Sequence, residues 1–549
     1  MDRAGVPEAA VDGAGGRAVD ASADGGRGAV LRAGGVRRRV ARWGPAAVGA
    51  LLGVLALWPA LGPGFVLRYD MVFVPDPPLV FPASGFPRAV PSDQVVAALA
   101  AVLPAELVQK GVLLGIFVLG AAGAGALVPR DRVLARLATA AFYAWNAYLA
   151  QRLLLGQWAL LLGLAGLPWA VRAARGRWWH LALALLPAAV GGFQAMLVTA
   201  PAVLAVSGWR RPRGLALLAV FSLPWAVPAL LAGATTDPRG VDAFAARADG
   251  PFGTLGSLLS LGGIWNAAAD VPGQGSWLLA AARLVLAAVA VAAYVALRRG
   301  WGGAGAPGGE RPAYWAGLLV AASAGLAVAC AGAFAPGAVR ALIGLWPGFG
   351  PLRDGQAYLA PLVLLEALGF GAAVAGITMP VRPAALAARG AALLVPVLVL
   401  PTFAFGAFGR LTAVEYPGEW RRVQAIVNAD PAPGALLTLP WGAYRAFRWN
   451  PGGGVVLDPA TKLFARRVIR DDSLPVRLGD GRVLRLAAED PRARRVGRLL
   501  GAPGGRTAAL RAEGIRYVLI LRPYENVFLY RLPEARIIFG GREVLLLRL

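Results

Sequence analysis

Apolar runs of roughly 20 residues recur between residues 44 and 408, separated by short breaks rich in Arg, Gly or Pro. A helix rising about 1.5 Å per residue needs roughly 20 apolar residues to cross a hydrocarbon core about 30 Å thick. Repetition at that length constrains the chain to a polytopic α-helical membrane protein. A hydrophobic share of 57% and a mean hydropathy of +0.59 agree, being too apolar for an ordinary soluble protein.

The net charge of +25 is of the kind that dense phosphate-binding faces carry, but its distribution argues against nucleic acid as a partner. Many arginines sit in the short breaks between apolar runs, the pattern of loops held on the cytoplasmic side. The single cysteine, Cys330, lies inside an apolar run, which excludes an intramolecular disulfide and a cysteine cluster for zinc. The single histidine, His180, excludes multi-histidine metal sites. No Walker loop, nucleophile elbow or HExxH motif occurs, and the glycines are scattered, not gathered into a phosphate-binding fingerprint. Nothing points to an ATP-driven pump.

Residues 1–42 are rich in Gly, Ala, Asp and Arg and read as a disordered basic cytoplasmic tail ending in Arg37-Arg38-Arg39 and Arg42. The run 44–61 is longer than a signal-peptide core and reads as an uncleaved first span of a transmembrane domain, 43–408. Further spans are expected at 106–128, 133–150, 157–172, 179–191, 193–208, 214–233, 276–298, 313–335, 356–378 and 384–407, about eleven in all. The stretch 179–208 is read as two short spans turning at Gly191-Gly192. Inner loops then carry Arg130, Arg132, Arg136, Arg172, Arg175, Arg177, Arg210, Arg211, Arg213, Arg298, Arg299, Arg311, Arg382 and Arg389. Outer loops carry half as many, namely Arg68, Arg88, Arg152, Arg239, Arg247, Arg340 and Arg353. Fusing 179–208 into one span would erase that bias.

From about Arg410 the long apolar runs disappear, and an odd span count puts residues 409–549 outside. They read as a small C-terminal α/β extracytoplasmic domain. Helices are expected at Pro417–Asn428 and at Arg506–Glu513, which stops at Gly514. Short apolar stretches at Ala435–Leu439, Val455–Leu457, Tyr517–Leu521, Arg536–Phe539 and Val544–Leu547 alternate with turns.

Candidate chemistry gathers at the outer boundary. In the outer loop 63–105, the stretch GPGFVLRYDMVFVPD holds Arg68, Asp70 and Asp76. A carboxylate beside apolar surface has a tunable proton affinity, and Asp70 or Asp76 suits a general base toward a hydroxyl or a ligand to a divalent cation. Both also suit turn residues that anchor the loop, Asp76 in backbone held extended before Pro77. Ser92 is expected to cap a surface helix running to Leu103, and GTLGSLLSLGGIWN in the outer loop 234–275 to dip toward the bilayer. In WPGFGPLRDGQ, Arg353 suits a phosphate through its planar fork, or a salt bridge with Asp354. Arg152, read in a short outer loop, suits a phosphate-bearing lipid. Glu366, near mid-span, is costly there unless it has a function or is protonated and hydrogen-bonded between helices. Glu106 and Lys110 form an i,i+4 pair, while Asp471-Asp472 and Glu489-Asp490 read as solvated turns.

Four stretches resemble the GT-C superfamily of integral-membrane glycosyltransferases, the polyprenyl-phosphate-sugar-dependent kind of actinobacterial envelope synthesis. They are YDMVFVPD after the first span, the surface helix PSDQVVAALAAVL, the span and return AFYAWNAYLAQRLLLGQWALLLGLAGLPWAVR, and PGFGPLRDGQAYLAPLVLL before a late span. The closely spaced acidic pairs of that superfamily are absent, Asp70 and Asp76 standing six apart. The resemblance implies a GT-C-like fold in the plasma membrane. It implies inverting transfer of a sugar from a polyprenyl-phosphate donor to an envelope glycan, lipid or protein acceptor on the outer face. Asp70 would be the base, and Arg68, Arg152 or Arg353 would hold the departing phosphate. A lipid or solute transporter or flippase is the alternative expectation, marked by intramembrane charge such as Glu366. A non-catalytic envelope-assembly membrane protein is a further one.

Overall fold

Each long apolar run closes its own backbone hydrogen bonds as a helix, and the helices stack into a bundle with chemically different ends. The computed structural model describes residues 20–79, 87–231, 236–301, 310–452, 454–477, 481–503, 506–529 and 532–549. Among these, six helices are long and apolar enough to cross a membrane: Gly35–Leu61, Ala105–Ala126, Arg211–Leu231, Trp277–Arg299, Trp315–Phe334 and Gly355–Gly376. Shorter apolar helices lie at Trp158–Ala173, Trp178–Gly191, Phe193–Val206 and Pro336–Leu345. The chain is a membrane protein with a helical core.

Connecting segments alternate between the two ends. At the end here termed lower, Arg210 Nη1 donates to Gly176 O at 2.9 Å, and Tyr314 Oη donates to Leu127 O at 3.2 Å. At the upper end, Arg68 Nη2 donates to Ala268 O at 2.8 Å, and Gln356 Nε2 donates to Gly262 O at 3.2 Å. The stretch 179–208 is two helices that turn at Gly192, whose φ is +79°. A side chain there would put its Cβ 2.5 Å from Val90 O, so the turn is open to glycine alone.

Three boundaries differ from expectation. The first helix runs Asp20–Leu57, through residues 20–42 expected to be disordered; residues 1–19 of that tail lie outside the described residues. The helix nucleated by its apolar half continues through Ala and Arg, and also through Gly25, Gly26, Gly28, Gly34 and Gly35, each at a cost of up to about 1 kcal/mol. The third expected span is divided into Val133–Ala144 and Ala147–Leu154, restarted by Asn146, whose Oδ1 accepts from Leu149 N at 2.9 Å. Arg152 is therefore helical, not in a loop. The expected span 384–407 is broken into Arg382–Ala392, Val395–Leu398 and a short turn Pro401–Phe403, because its prolines remove backbone donors.

The C-terminal domain is a five-stranded mixed sheet in the spatial order Arg536–Gly540, Val544–Arg548, Ile515–Leu521, Ala435–Leu439, Val468–Ile469. Ala435–Leu439 is parallel to both its neighbours and wholly buried, as a strand covered on both faces must be. Helix Gly418–Ala429 packs on one face of the sheet, burying Trp420, Val423 and Val427 in a cluster with Leu436, Val544 and Leu546. Val455–Leu457 stands apart from this sheet, in a hairpin with Tyr444–Ala446.

That hairpin docks on the stretch after the first span. Tyr69 N donates to Val455 O and Leu457 N to Tyr69 O, each at 2.8 Å. Phe65–Val66 pairs with Ala413–Val414, and Gln109 of the helix Ala105–Ala126, the second span, bonds both Val66 N (2.9 Å) and Val66 O (2.7 Å). The Arg68–Met71 turn also lies against Gly156 (φ +79°), where a Cβ would sit 2.3 Å from Arg68 O and from Met71 N. Gly156→Ala is expected to cost about 1–3 kcal/mol and lower the thermal unfolding midpoint in detergent. Gly111→Ala, with nothing within 4 Å of the added carbon, should leave the midpoint unchanged or slightly raised.

Candidate active site

Tyr69 and Asp70 form the tip of a tight turn in which Arg68 N donates to Met71 O (3.1 Å) and Met71 N to Arg68 O (2.8 Å). Tyr69 is left-handed, with φ +45°, a strained state that persists only where surroundings over-determine it. Here the docked hairpin holds both its N–H and its C=O. The turn delivers the Asp70 carboxylate to Tyr444, whose hydroxyl donates to Oδ1 at 2.7 Å. Burial raises the Asp70 carboxyl above the ordinary range, opposed by the Tyr444 hydrogen bond and by the charges of Arg88, Lys462 and Arg470. A half-buried carboxylate of raised proton affinity, still reachable from solvent, has the character of a general base.

The cations around it come from distant parts of the chain. Arg88 Nη2 donates to Glu489 Oε1 at 2.6 Å, and Arg353 Nη2 lies 3.8 Å from the same oxygen. Arg353 stacks over Phe244 at 5.0 Å. Burial, and then the nearby charge of Arg88, push its guanidinium down to about 10. Lys462 pairs with Asp93 of the helix Ser92–Ala100 at 2.8 Å. Leu99, Val102 and Leu103 around the end of that helix stay exposed, an apolar edge suited to a lipid surface. Arg470 lies near Asp458 and Asp472, so acids and cations alternate around the site; Arg88 and Arg353, which share one oxygen of Glu489, are the pair placed to turn to a phosphate. Glu489, expected as a solvated turn, is thus an ion-pair partner.

The other sequence candidates separate from this cluster. Asp76 is exposed, with φ +47° in place of the expected extended backbone. Gln424 fixes it by donating to Pro75 O and Asp76 O at 3.0 Å each, so tertiary contacts override the preference before proline. No described hydrogen bond or ion pair joins the Asp76 carboxylate to Asp70. Arg68 is buried and spends Nε on Leu154 O (2.9 Å) and Nη2 on Ala268 O, stitching the turn to the bundle. Arg152 is wholly buried. Its Nη groups form a bidentate pair with Asp354 (2.6 and 2.8 Å), and the rest of its fork goes to Gln157 and Gln356. All five donors are committed, so Arg152 braces the site instead of presenting a fork to a ligand. Asp354 pairs with Arg152, not with Arg353.

Tyr444, Arg470 and Lys462 carry no local signal in the sequence; Tyr444 lies 374 positions from Asp70. Arg88 was visible only as an outer-loop cation. A buried carboxylate pair was also missed. Asp249 Oδ2 accepts from Gln151 (2.9 Å), Gln274 (2.9 Å) and Gly263 N (2.7 Å). Gln151 also donates to Asp270 at 3.1 Å, and Arg247 caps the other Asp270 oxygen. Burial raises the Asp270 carboxyl to about 6 against the pull of Arg247. This network seats the loop 234–275 on the bundle. Deeper, Glu366 lines a small cavity with Arg283 and Asn146, and neither carboxylate oxygen has a hydrogen-bond partner among the described residues. Among the described residues no group of three or more His, Cys, Asp or Glu gathers at metal-binding distance.

No family model matches the chain, and no curated protein matches it. Solved structures of the arabinofuranosyltransferase AftD from Mycobacteria are similar. One has 18% identity and a TM-score of 0.55 over 93% of this chain and 41% of that chain. Another has 16% identity and a TM-score of 0.54 over 92% and 40%. The chain spans about two-fifths of the length of those proteins. The likeness shows a fold shared with part of those proteins.

If Arg152 is a brace, Arg152→Met should cost about 3–5 kcal/mol by stranding a buried Asp354. The double change Arg152→Met/Asp354→Leu should recover part of that loss, both read as thermal unfolding midpoints.

Proposed function

We propose that the protein is a membrane glycosyltransferase that moves a sugar from a polyprenyl-phosphate donor to an envelope acceptor bearing a hydroxyl. The observation that carries this reading is the Asp70 carboxylate on Tyr444, its proton affinity raised by burial, beside Arg88 and Arg353 at the upper end of a GT-C-like bundle. Asp70 takes the proton of the acceptor hydroxyl while its oxygen attacks the anomeric carbon from the face opposite the phosphate. The carbon–oxygen bond to phosphate breaks, the anomeric centre inverts, and Arg88 and Arg353 hold the charge on the departing polyprenyl phosphate. The charges of Lys462 and Arg470 act on Asp70 itself, opposing part of the effect of burial. The donor brings its own leaving group, so the step needs no ATP.

The reading places eleven traverses in the plasma membrane, the last one broken, with the arginine-rich lower end cytoplasmic by the positive-inside bias. The upper site then faces the envelope, where a lipid-borne donor arrives sideways and an acceptor arrives from above. The likeness to an arabinofuranosyltransferase makes polyprenyl-phosphate arabinofuranose the first donor to test. Asp76, exposed at a turn, has no part in the step.

Asp70→Asn is expected to cut transfer from a labelled donor in membranes by about 10²–10⁴-fold, while Asp76→Asn stays within about twofold of the parent. Transfer that survives Asp70→Asn sinks the assignment. The pH profile gives an independent check. Protonating Asp70 removes the base, so kcat/KM should fall as pH drops through a limb above the usual aspartate value of about 3.9. Tyr444→Phe deletes a hydrogen bond that favours the carboxylate, and so should move that limb to higher pH. A limb that does not move would detach Tyr444 from the mechanism. Transport is the second reading, favoured by Glu366 and Arg283 inside the bundle. Solute uptake into vesicles that is insensitive to Asp70→Asn would support it.

A further inference from the structure

A cavity with a volume of about 580 Å³ lies at the lower end, opposite Asp70. That is the size of a small-ligand pocket, which spans about 300–1,000 Å³. Its walls come from the helices Gly35–Leu61, Ala105–Ala126, Val133–Ala144 and Trp158–Ala173, from the turn 127–130, and from the segment entering Trp315–Phe334. Four arginines line it, Arg42, Arg130, Arg136 and Arg172, against one acid, Glu310.

The floor is fixed. Arg136 is buried and donates from Nε to Ala41 O (2.9 Å) and from Nη1 to Val128 O (2.5 Å), tying the first span to the turn below the second. The rim is adaptable. Arg42 and Arg130 are exposed, as is Arg172, which touches Ala126 O through Nη1 at 3.0 Å. Aromatic rings frame the opening: Trp43 is 62% exposed beside Arg42, and Trp169 is anchored on Leu119 O at 2.9 Å. Tyr314 is anchored on Leu127 O. Cations at a span's end, next to indole rings at the headgroup level, form a site for an anion attached to an apolar tail. A soluble anion would gain nothing from the exposed tryptophan.

We propose that this cavity seats the phosphate-bearing head group of an anionic phospholipid, taken from the leaflet at the lower end. The binding is independent of sugar transfer and of the upper site.

The test uses the full chain reconstituted in vesicles of equal phosphatidylglycerol and phosphatidylcholine, then extracted in mild detergent, with co-purifying lipid measured by mass spectrometry. The parent should retain phosphatidylglycerol selectively. The triple change Arg42→Ser/Arg130→Ser/Arg172→Ser, which spares the structural Arg136, should lower that retention at least threefold. Arg298→Ser/Arg299→Ser removes two exposed arginines at the same end but outside the cavity and should change nothing. If the triple variant cannot be purified, Arg172→Glu alone should give the same loss of selectivity. Millimolar inorganic phosphate should not displace the lipid. Undiminished retention in the cavity variants, equal loss in the control variant, equal retention of phosphatidylcholine, or displacement by phosphate would each overturn the proposal.

Discussion

The clasp of the C-terminal hairpin on Tyr69 is the contact on which the rest of the site depends. Two backbone hydrogen bonds at 2.8 Å lock Tyr69 between Val455 and Leu457. They hold it in a left-handed conformation that an aromatic residue otherwise avoids. That conformation turns Asp70 toward Tyr444, and the same hairpin covers it. The burial that raises the Asp70 carboxyl is thus produced by the domain that also supplies its hydrogen-bond partner. From the other side Gln109 and Glu106 of the second span grip Val66 and Gly64, so the stretch is fixed between membrane bundle and soluble domain.

Arginines at the upper end divide by how many of their donors the protein consumes. Arg152 and Asp354 are both buried, where each charge loses hydration worth several kcal/mol, and the loss is offset only because every donor of the fork is met. Such a residue sets geometry. Arg88 and Arg353 share a single carboxylate oxygen, the second at 3.8 Å. They keep part of their surface in solvent and can exchange that contact for a stronger one with a phosphate. Burial, and then the nearby charge of Arg88, pushes Arg353 down, and a bound anion would offset the second of these.

The two ends of the bundle treat anions differently. At the upper end the cations surround a carboxylate that can take a proton, under the roof of a folded domain. At the lower end arginines and tryptophans line an open cavity in which Glu310 is the one acid among the described residues. The two ends thus differ in surroundings: one sets a titratable carboxylate among cations under a folded domain, the other sets arginines beside indole rings.

The helical core was legible because its signal is local. Run length, proline and glycine positions and arginine-bearing breaks mark most helices, including the Gly192 turn, and alternating apolar stretches mark the strands Ala435–Leu439, Ile515–Leu521 and Val544–Arg548. Asp70 and Arg353 stand out as charges at the end of apolar segments. Sequence could not separate Asp70 from Asp76, or Arg353 from Arg68 and Arg152, since each pair has the same chemistry and a similar setting along the chain. Burial and donor saturation separate them, and both are set by contacts between segments hundreds of residues apart. Sequence alone determined that this chain fills a membrane with helices and carries a mixed α/β domain, because hydrophobic length and periodicity act within a segment. Which carboxylate is covered, which arginine is spent, and that Tyr444 meets Asp70 were decided by tertiary structure, because desolvation and hydrogen bonding depend on what is brought alongside.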